Sequence, residues 1–424
     1  LALALALVLP GLASAQQATL ATNVDAGAGV GSSDTTSSRA MSPSSDGPDA
    51  TAATEFERIT VTATRTERAI VDVPHTVDVI DREQMDAYIV RDLRDLFRYE
   101  PGVTVGQSFG RFGIDDIRIR GLGGNRVRIQ TDGIAVSDAF SIGSYSNTNR
   151  NFVDLDTLKR VEVVRGPTSS LYGSDALGGT VSFITKDPSD YLGEGKDAYY
   201  GFKLGMQSDW NGLFGGATAA FGGERWSGLV VVGHRQGQET KNQGQDASIG
   251  ANRTKPNPQS REGRSLLTKL VYAPSDEQLF RLTVEGNEDN SETDLLTLRG
   301  PQFTGANNTL VTADDQQTRA RVSFAHEITG LDGFVDEINW QVYRQDSETN
   351  QNTYEARILP PPDLQDVRER WFNFDQRVYG LQANFHKSVG SRVTHDLAWG
   401  LDMTRVNTKQ KRDGRRSLPL TGEV

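Results

Sequence analysis

From about residue 198 onward, apolar and polar residues alternate one for one, in segment after segment. Phe280, Leu282 and Val284 interleave with Arg281, Thr283 and Glu285, and Ile338, Trp340 and Val342 with Asn339, Gln341 and Tyr343. Tyr379, Leu381, Ala383 and Phe385 interleave with Gly380, Gln382, Asn384 and His386. A period of two sends successive side chains to opposite faces of a strand, so each segment reads as a strand with one apolar and one polar face. Two folds use such strands: a soluble sandwich, whose apolar faces meet each other, and a membrane barrel, whose apolar face meets lipid around a wet lumen. Short gaps (273–276, 388–391) mix with long polar ones (238–262, 289–315, 351–369), the asymmetry of a barrel with short turns at one rim and long loops at the other. The pattern predicts roughly eight to nine antiparallel strands, each near the 9–11 residues of a tilted span. No apolar run approaches the roughly 20 residues of a spanning helix, and the mean hydropathy is −0.49, which excludes a helical membrane protein and leaves the barrel open.

Upstream, the chain changes character several times. Residues 1–15 form an apolar stretch ending in Ala13-Ser14-Ala15, read as the remnant of a secretory signal peptide. Residues 16–54 are rich in Ala, Thr, Ser, Gly and Asp and are expected to be disordered, because they carry too little apolar surface to offset their ordering entropy. In residues 55–68, Ile59, Val61 and Ala63 alternate with threonines in a short β-prone strip, suited to adding a strand to the sheet edge of a partner. Residues 69–190 read as a compact α+β domain. Asp81 with Gln84 three residues on marks a helix start, Leu93, Leu96 and Phe97 share a helical face, and Pro101-Gly102 ends the run. Strands follow at 117–120, 127–130, 160–164 and 180–184, separated by glycine turns that include Asp132-Gly133. Residues 191–424 hold the strand pattern. There is no cysteine, which removes disulfides and thiol chemistry, and the net charge of −11 argues against nucleic acid as a partner.

These segments resemble the TonB-dependent outer-membrane receptors. Ile59-Thr-Val-Thr-Ala-Thr64 is similar to the TonB box. Val73-Pro-His-Thr-Val-Asp-Val-Ile80, Ile117-Arg-Ile-Arg-Gly121, Val161-Glu-Val-Val-Arg-Gly-Pro167 and Leu171-Tyr-Gly-Ser-Asp-Ala-Leu-Gly-Gly-Thr180 are similar to successive signatures of the plug domain. The resemblance implies a mainly β protein: an α+β plug followed by the first strands of a transmembrane β-barrel, 22-stranded in the full-length family. It implies the bacterial outer membrane as location, with plug and TonB box facing the periplasm. Its partners would be outer-membrane lipid and TonB, the latter binding Ile59, Thr60, Val61, Thr62 and Ala63. It further implies that Arg120 and Arg165, beside Gly121 and Gly166, pair with barrel glutamates and hold the plug in place.

A finer resemblance is to the receptors for haem, haemoglobin, transferrin and lactoferrin. It rests on Arg91-Asp-Leu-Arg-Asp-Leu-Phe-Arg-Tyr-Glu-Pro-Gly-Val103, Ile129-Gln-Thr-Asp-Gly-Ile134 and Tyr145-Ser-Asn-Thr-Asn-Arg-Asn-Phe152. It implies import of an iron-containing ligand, with haem as cargo rather than intrinsic cofactor, taken free or from a host haem or iron protein. The group commonly uses axial histidines, one of them at the plug apex. This chain departs from that pattern: the only histidine of its α+β domain, His75, lies near the first strand, and His234, His326, His386 and His395 fall within strand patterns. The apical stretch offers Tyr145, a residue type able to ligate haem iron, with Asn147 and Asn149 beside it. A ferric-siderophore receptor is the alternative with the same mechanism. A passive porin or adhesin is the alternative from another class, and it would lack residues 57–187. An enzyme is not expected: Gly106-Gln-Ser-Phe-Gly110 has the spacing of a nucleophile elbow but leads into a strand pattern rather than a helix.

Overall fold

The computed structural model describes residues 59–60, 68–69, 73, 75–108, 111, 113–141, 147–148, 150, 152–193, 195–360, 364–390 and 393–418. The expected signal-peptide remnant and disordered leader lie outside them.

The first described elements are two residue pairs, β1 (Ile59–Thr60) and β2 (Arg68–Ala69), joined antiparallel. Then β3 (Thr76–Asp81) runs into α1 (Arg82–Ala87) through a capping box: the Asp81 carboxylate accepts from Gln84 N at 2.8 Å, and the Gln84 side chain accepts from Asp81 N at 3.2 Å. The single helical run expected as far as Pro101 is instead broken. Ile89 takes a left-handed φ of 51°, and Asp92 caps a second short helix, α2 (Leu93–Leu96), by accepting from Arg94 N and Asp95 N. A second N-cap within the run outcompetes helix continuation, and Met85, Leu93, Leu96 and Phe97 reach the core all the same.

After α2 come the hairpin β4 (Val103–Ser108) and β5 (Gly113–Ile119), then β6 (Val127–Thr131) and β7 (Ile134–Ala135). Asp132 and Gly133, at φ 48° and 78°, make the two-residue turn between β6 and β7 with both central residues left-handed, as an Asp-Gly hairpin requires. The short pair β8 (Phe140–Ser141) and β9 (Asn147–Thr148) follows, then β10 (Leu158–Arg165), α3 (Ser169–Tyr172) and β11 (Gly179–Thr185). Five strands form one mixed sheet in the order β3-β10-β11-β6-β7, parallel only between β11 and β6. Val161, Val163, Val181 and Phe183 bury one face of that sheet against Ile80, Met85 and Leu96.

The remaining strands build a separate antiparallel wall: β12 (Ala198–Gln207), β13 (Gly212–Gly222), β14 (Trp226–Gln238), β15 (Gln259–Ser275), β16 (Gln278–Asp294), β17 (Gly300–Pro301), β18 (Asn307–Ile328), β19 (Glu337–Leu359), β20 (Leu364–Val389) and β21 (His395–Ser417). Nine of them pair in sequence order, and β17 is a two-residue annex of β18. Only β12 to β14 are near the expected length; from β15 on, the strands of the main path have 17 to 26 residues. The gap at 239–258 is a loop. Most of 289–315 and 351–369, expected as loops, is instead paired strand, with β19 and β20 in register from Glu337↔His386 to Leu359↔Leu364.

The two faces of the wall differ as the alternation requires. Along β16, β18 and β19, Phe280, Leu282, Phe324 and Val342 point outward, while Arg281, Glu285, Arg321 and Gln345 point inward. Close to the short turns, the outward face carries an aromatic row: Trp226 on Tyr272 (4.3 Å between centroids), Tyr272 on Phe280 (6.1 Å), Phe280 on His326 (3.9 Å), His326 against Trp340 (5.7 Å) and Phe385 on Trp399 (5.9 Å). Such a row marks the lipid–water boundary of a membrane barrel.

Candidate ligand-gating site between the mixed domain and the wall

The mixed domain sits on the polar inner face of the wall, and the contact is built from buried charge. The β6–β7 turn is its centre. The Asp132 carboxylate accepts from Thr185 N (2.9 Å) and Thr185 Oγ1 (2.7 Å) inside the domain, and from the Arg321 guanidinium of β18 (2.7 Å). Arg321 also donates to the Thr131 carbonyl (2.7 Å) and pairs with Glu285 of β16 (2.9 Å), whose carboxylate is shared with Arg319 at 3.1 Å. Both arginines are almost wholly buried, at 0 and 1 % exposure. Burial alone would raise the Asp132 carboxyl, but Lys269 and Arg321 outweigh it and hold it below the usual carboxylate range. Gly133 lets the turn approach closely: a Cβ there would lie 3.3 Å from the Gln341 amide, at a φ that disfavours any side chain.

Two more carboxylates repeat the theme. Asp154, just ahead of β10, is held by Arg235 of β14 at 2.5 Å and by the Ser265 hydroxyl of β15. Asp187, just past β11, is held by Lys269 of β15 at 3.0 Å and Arg281 of β16 at 3.1 Å. Burial pushes both carboxyls up, the neighbouring cations push them down further, and both end low. Arg111, at the far end of the β4–β5 hairpin, is the reverse case. Its guanidinium grips Asp315 of β18 through two bonds of 2.6 and 2.7 Å and donates to Thr353 Oγ1 at 2.8 Å.

Arg120 and Arg165, expected to lock the domain to wall glutamates, find no wall partner among the described residues. Arg165 pairs with Asp78 at 2.8 Å and Glu100 at 3.0 Å, both in its own domain, and Arg120 is exposed at a φ of 50°. Arg111 holds a bidentate wall contact. Sequence reasoning missed Arg111, Asp132, Asp154 and Asp187. A usable signal existed on the wall side, where Arg281, Glu285, Arg319 and Arg321 all take inward parity, but the plug carboxylates that Arg281 and Arg321 meet lie 94 and 189 residues away in sequence.

Of the apical candidates, Tyr145 and Asn149 lie outside the described residues. Asn147 is half-buried, and its backbone is clamped by the Gln351 side chain of β19, which accepts from Asn147 N at 2.9 Å and donates to its carbonyl at 2.5 Å. Phe140 stacks on Phe372 and Phe374 of β20, with centroids 5.9 and 5.6 Å apart. Asp138 binds Gln376 at 2.8 Å. Phe140 and Asn147, which flank residues 142–146 in sequence, are therefore both held to the inner wall. Of the residues expected to form a TonB box, Ile59 and Thr60 pair with Ala69 and Arg68, while Val61, Thr62 and Ala63 lie outside the described residues. The strand histidines are placed as ordinary wall residues: His326 sits in the outward aromatic row, and His234 lies 3.9 Å from Glu262.

A mixed domain clamped to the polar face of an antiparallel wall is the arrangement of a plugged barrel. The TonB-dependent receptor plug domain profile matches residues 69–180, which span β3 through the first residues of β11. The chain belongs to the TonB-dependent receptors. It is 31 % identical over 313 residues to the haemoglobin-binding protein A of Haemophilus influenzae, a match covering 69 % of this chain and 30 % of that protein. It is 35 % identical over 266 residues to a haemoglobin and haemoglobin-haptoglobin-binding protein of Haemophilus ducreyi, covering 58 % and 27 %. In fold it is similar to the FrpB iron transporter of Neisseria meningitidis, with a TM-score of 0.53, 16 % identity, and coverage of 80 % of this chain and 60 % of that one. The receptor chain thus spans about a third or less of the length of these curated relatives. As members of this family reside in the outer membrane, the aromatic row lies at the periplasmic boundary, beside the short turns.

Proposed function

We propose that this receptor imports an iron-containing ligand across the outer membrane, the ligand being haem, free or taken from haemoglobin, with TonB supplying the work through Ile59–Ala63. The observation that carries the reading is the plug itself, clamped by buried ion pairs to the wall's polar face. A passive pore has no use for a domain that must be displaced before anything passes, and a plugged lumen fits transport driven from outside the barrel. The haemoglobin-binding relatives support haem as the cargo, and the family is one of transport receptors rather than enzymes. The division into leader, TonB-box segment (55–68), plug (69–190) and barrel strands (191–424) is part of the proposal.

Phe140, Phe372 and Phe374 offer a stacked aromatic surface, suited to the flat face of a porphyrin. Tyr145, close to Phe140 in sequence, is the candidate iron ligand, with Asn147 and Asn149 as candidate polar partners. Growth with haemin or haemoglobin as the only iron source tests the cargo. A strain lacking the receptor should fail on both and grow on ferric siderophores, and the converse pattern would assign the receptor to a siderophore. Tyr145→Phe should shift the absorption spectrum of bound haem, and an unchanged spectrum removes Tyr145 as ligand.

A further inference from the structure

We propose that three arginines on the outward face of the wall, Arg344 of β19, Arg377 of β20 and Arg405 of β21, bind the phosphate groups of an anionic lipid in the outer leaflet. Strand parity sets them on the lipid side. Arg344 follows Ile338, Trp340 and Val342 in alternation, Arg377 continues Phe385, Ala383, Leu381 and Tyr379, and Arg405 continues Trp399, Leu401 and Met403. Register brings them together: Arg344 faces Tyr379, which faces Arg405, and one row higher Asp346 faces Arg377.

Their height is set by the aromatic row. They lie six to eight residues above Ile338, Phe385 and Trp399, which at about 3.3 Å per residue and a tilt of about 40° is roughly 15–20 Å. That is near the top of an apolar band about 25 Å tall, within the upward reach of a long side chain. Below them the surface is Val342, Leu381 and Met403, exposed at 41, 37 and 58 %, which suits acyl chains.

Charge at this level is unbalanced. Asp346 is shared, at 2.7 Å from Arg344 and in contact with Arg377 as well. Arg405 extends the row across Tyr379 from Arg344. Two guanidinia therefore share one carboxylate, and both keep about half of their side-chain surface open, at 47 and 52 %. The next row up is mixed, with Glu348, Asp375 and Lys409 in register. Cations at the rim of an apolar band are costly unless headgroup anions compensate them, and the planar guanidinium matches phosphate through two parallel hydrogen bonds.

The test uses receptor extracted from outer membranes in mild detergent, with bound lipid measured by phosphorus assay and native mass spectrometry. The triple variant Arg344→Gln/Arg377→Gln/Arg405→Gln should retain about tenfold less phosphorylated lipid than the parent. Lys409→Gln/Lys411→Gln, higher on β21, should retain the parent amount. Heat modifiability reports folding, and if the triple variant fails to fold, the single variants decide, each expected to lose about threefold. Parent-level lipid on the folded arginine variants, or an equal loss in the lysine control, overturns the site. Excess inorganic phosphate should leave the lipid bound, and displacement by it would mean that the arginines select free anions rather than lipid.

Discussion

At the scale of single residues, plug and wall are held by groups that are expensive to bury alone. Arg321 is fully buried, and its charge is compensated by Asp132, Glu285 and the Thr131 carbonyl around it. Removing one partner of such a cluster strands the others without water, at a cost of about 3–5 kcal/mol. Arg321→Met should therefore loosen the β6–β7 turn. Hydrogen exchange of the amides at 127–135 would show it, as protection lost there while the β19–β20 ladder keeps its own. The acid limit follows from the same groups. Asp132, Asp154 and Asp187 have their carboxyls depressed in the folded state, so each adds stability above its unfolded pKa of about 3.9. That stability is lost as pH falls through the lower folded value. Plug docking should hold from neutrality to about pH 4 and fail below it, read as protease access to the plug in reconstituted receptor. Release at pH 5 to 6 would show that these carboxylates do not set the limit.

At the scale of elements, β3 is the exposed edge of the plug sheet and the strand nearest the TonB-box segment. It pairs with β10 alone, from Thr76↔Arg165 to Asp81↔Arg160, and Arg165 fastens its leading end through Asp78 and Glu100. Tension arriving from the N-terminal side loads that end first. Val61→Pro should abolish uptake while ligand binding persists, because proline removes a main-chain donor from the strand that TonB would add to its sheet. Normal growth on the ligand would count against it. Much at this scale was legible in the sequence. The capping box at Asp81 and Gln84 and the Asp-Gly turn at 132–133 are local chemistry, and both appear where the residues place them. The extension of β16, β18, β19 and β20 past the lipid was not legible. Above the apolar band both faces of a strand meet water, so alternation fades at Glu348, Asn350 and Asn352 while the main-chain ladder runs on. Nor were the plug–wall pairs legible, because Arg111 and Asp315 meet only after two domains have folded and docked.

At the scale of the whole molecule, the placement of these contacts bears on how the lumen opens. For the plug to leave as one body, the clusters at Asp132, Asp154, Asp187 and Arg111 must all break, each at a cost of about 3–5 kcal/mol. Peeling β3 from β10 breaks a six-pair ladder, the Arg165–Asp78 contact and the packing of Val77 and Ile80, and the β6–β7 turn stays on the wall. The local route is the cheaper one. The chain has no cysteine, so introduced pairs can separate the two routes cleanly. Asp154→Cys/Ser265→Cys would tie the plug to β15, and Val77→Cys/Val164→Cys, register partners, would tie β3 to β10. If the plug opens by local peeling, oxidation of the first pair should leave import standing and oxidation of the second should stop it, with reduction restoring the rate. Ligand binding, measured alongside, should be unchanged in both, so that a loss of import reports movement rather than recognition. Import stopped by the 154–265 link and unaffected by the 77–164 link would instead require the plug to move as a rigid unit, with the buried carboxylates acting as the latch that TonB must overcome.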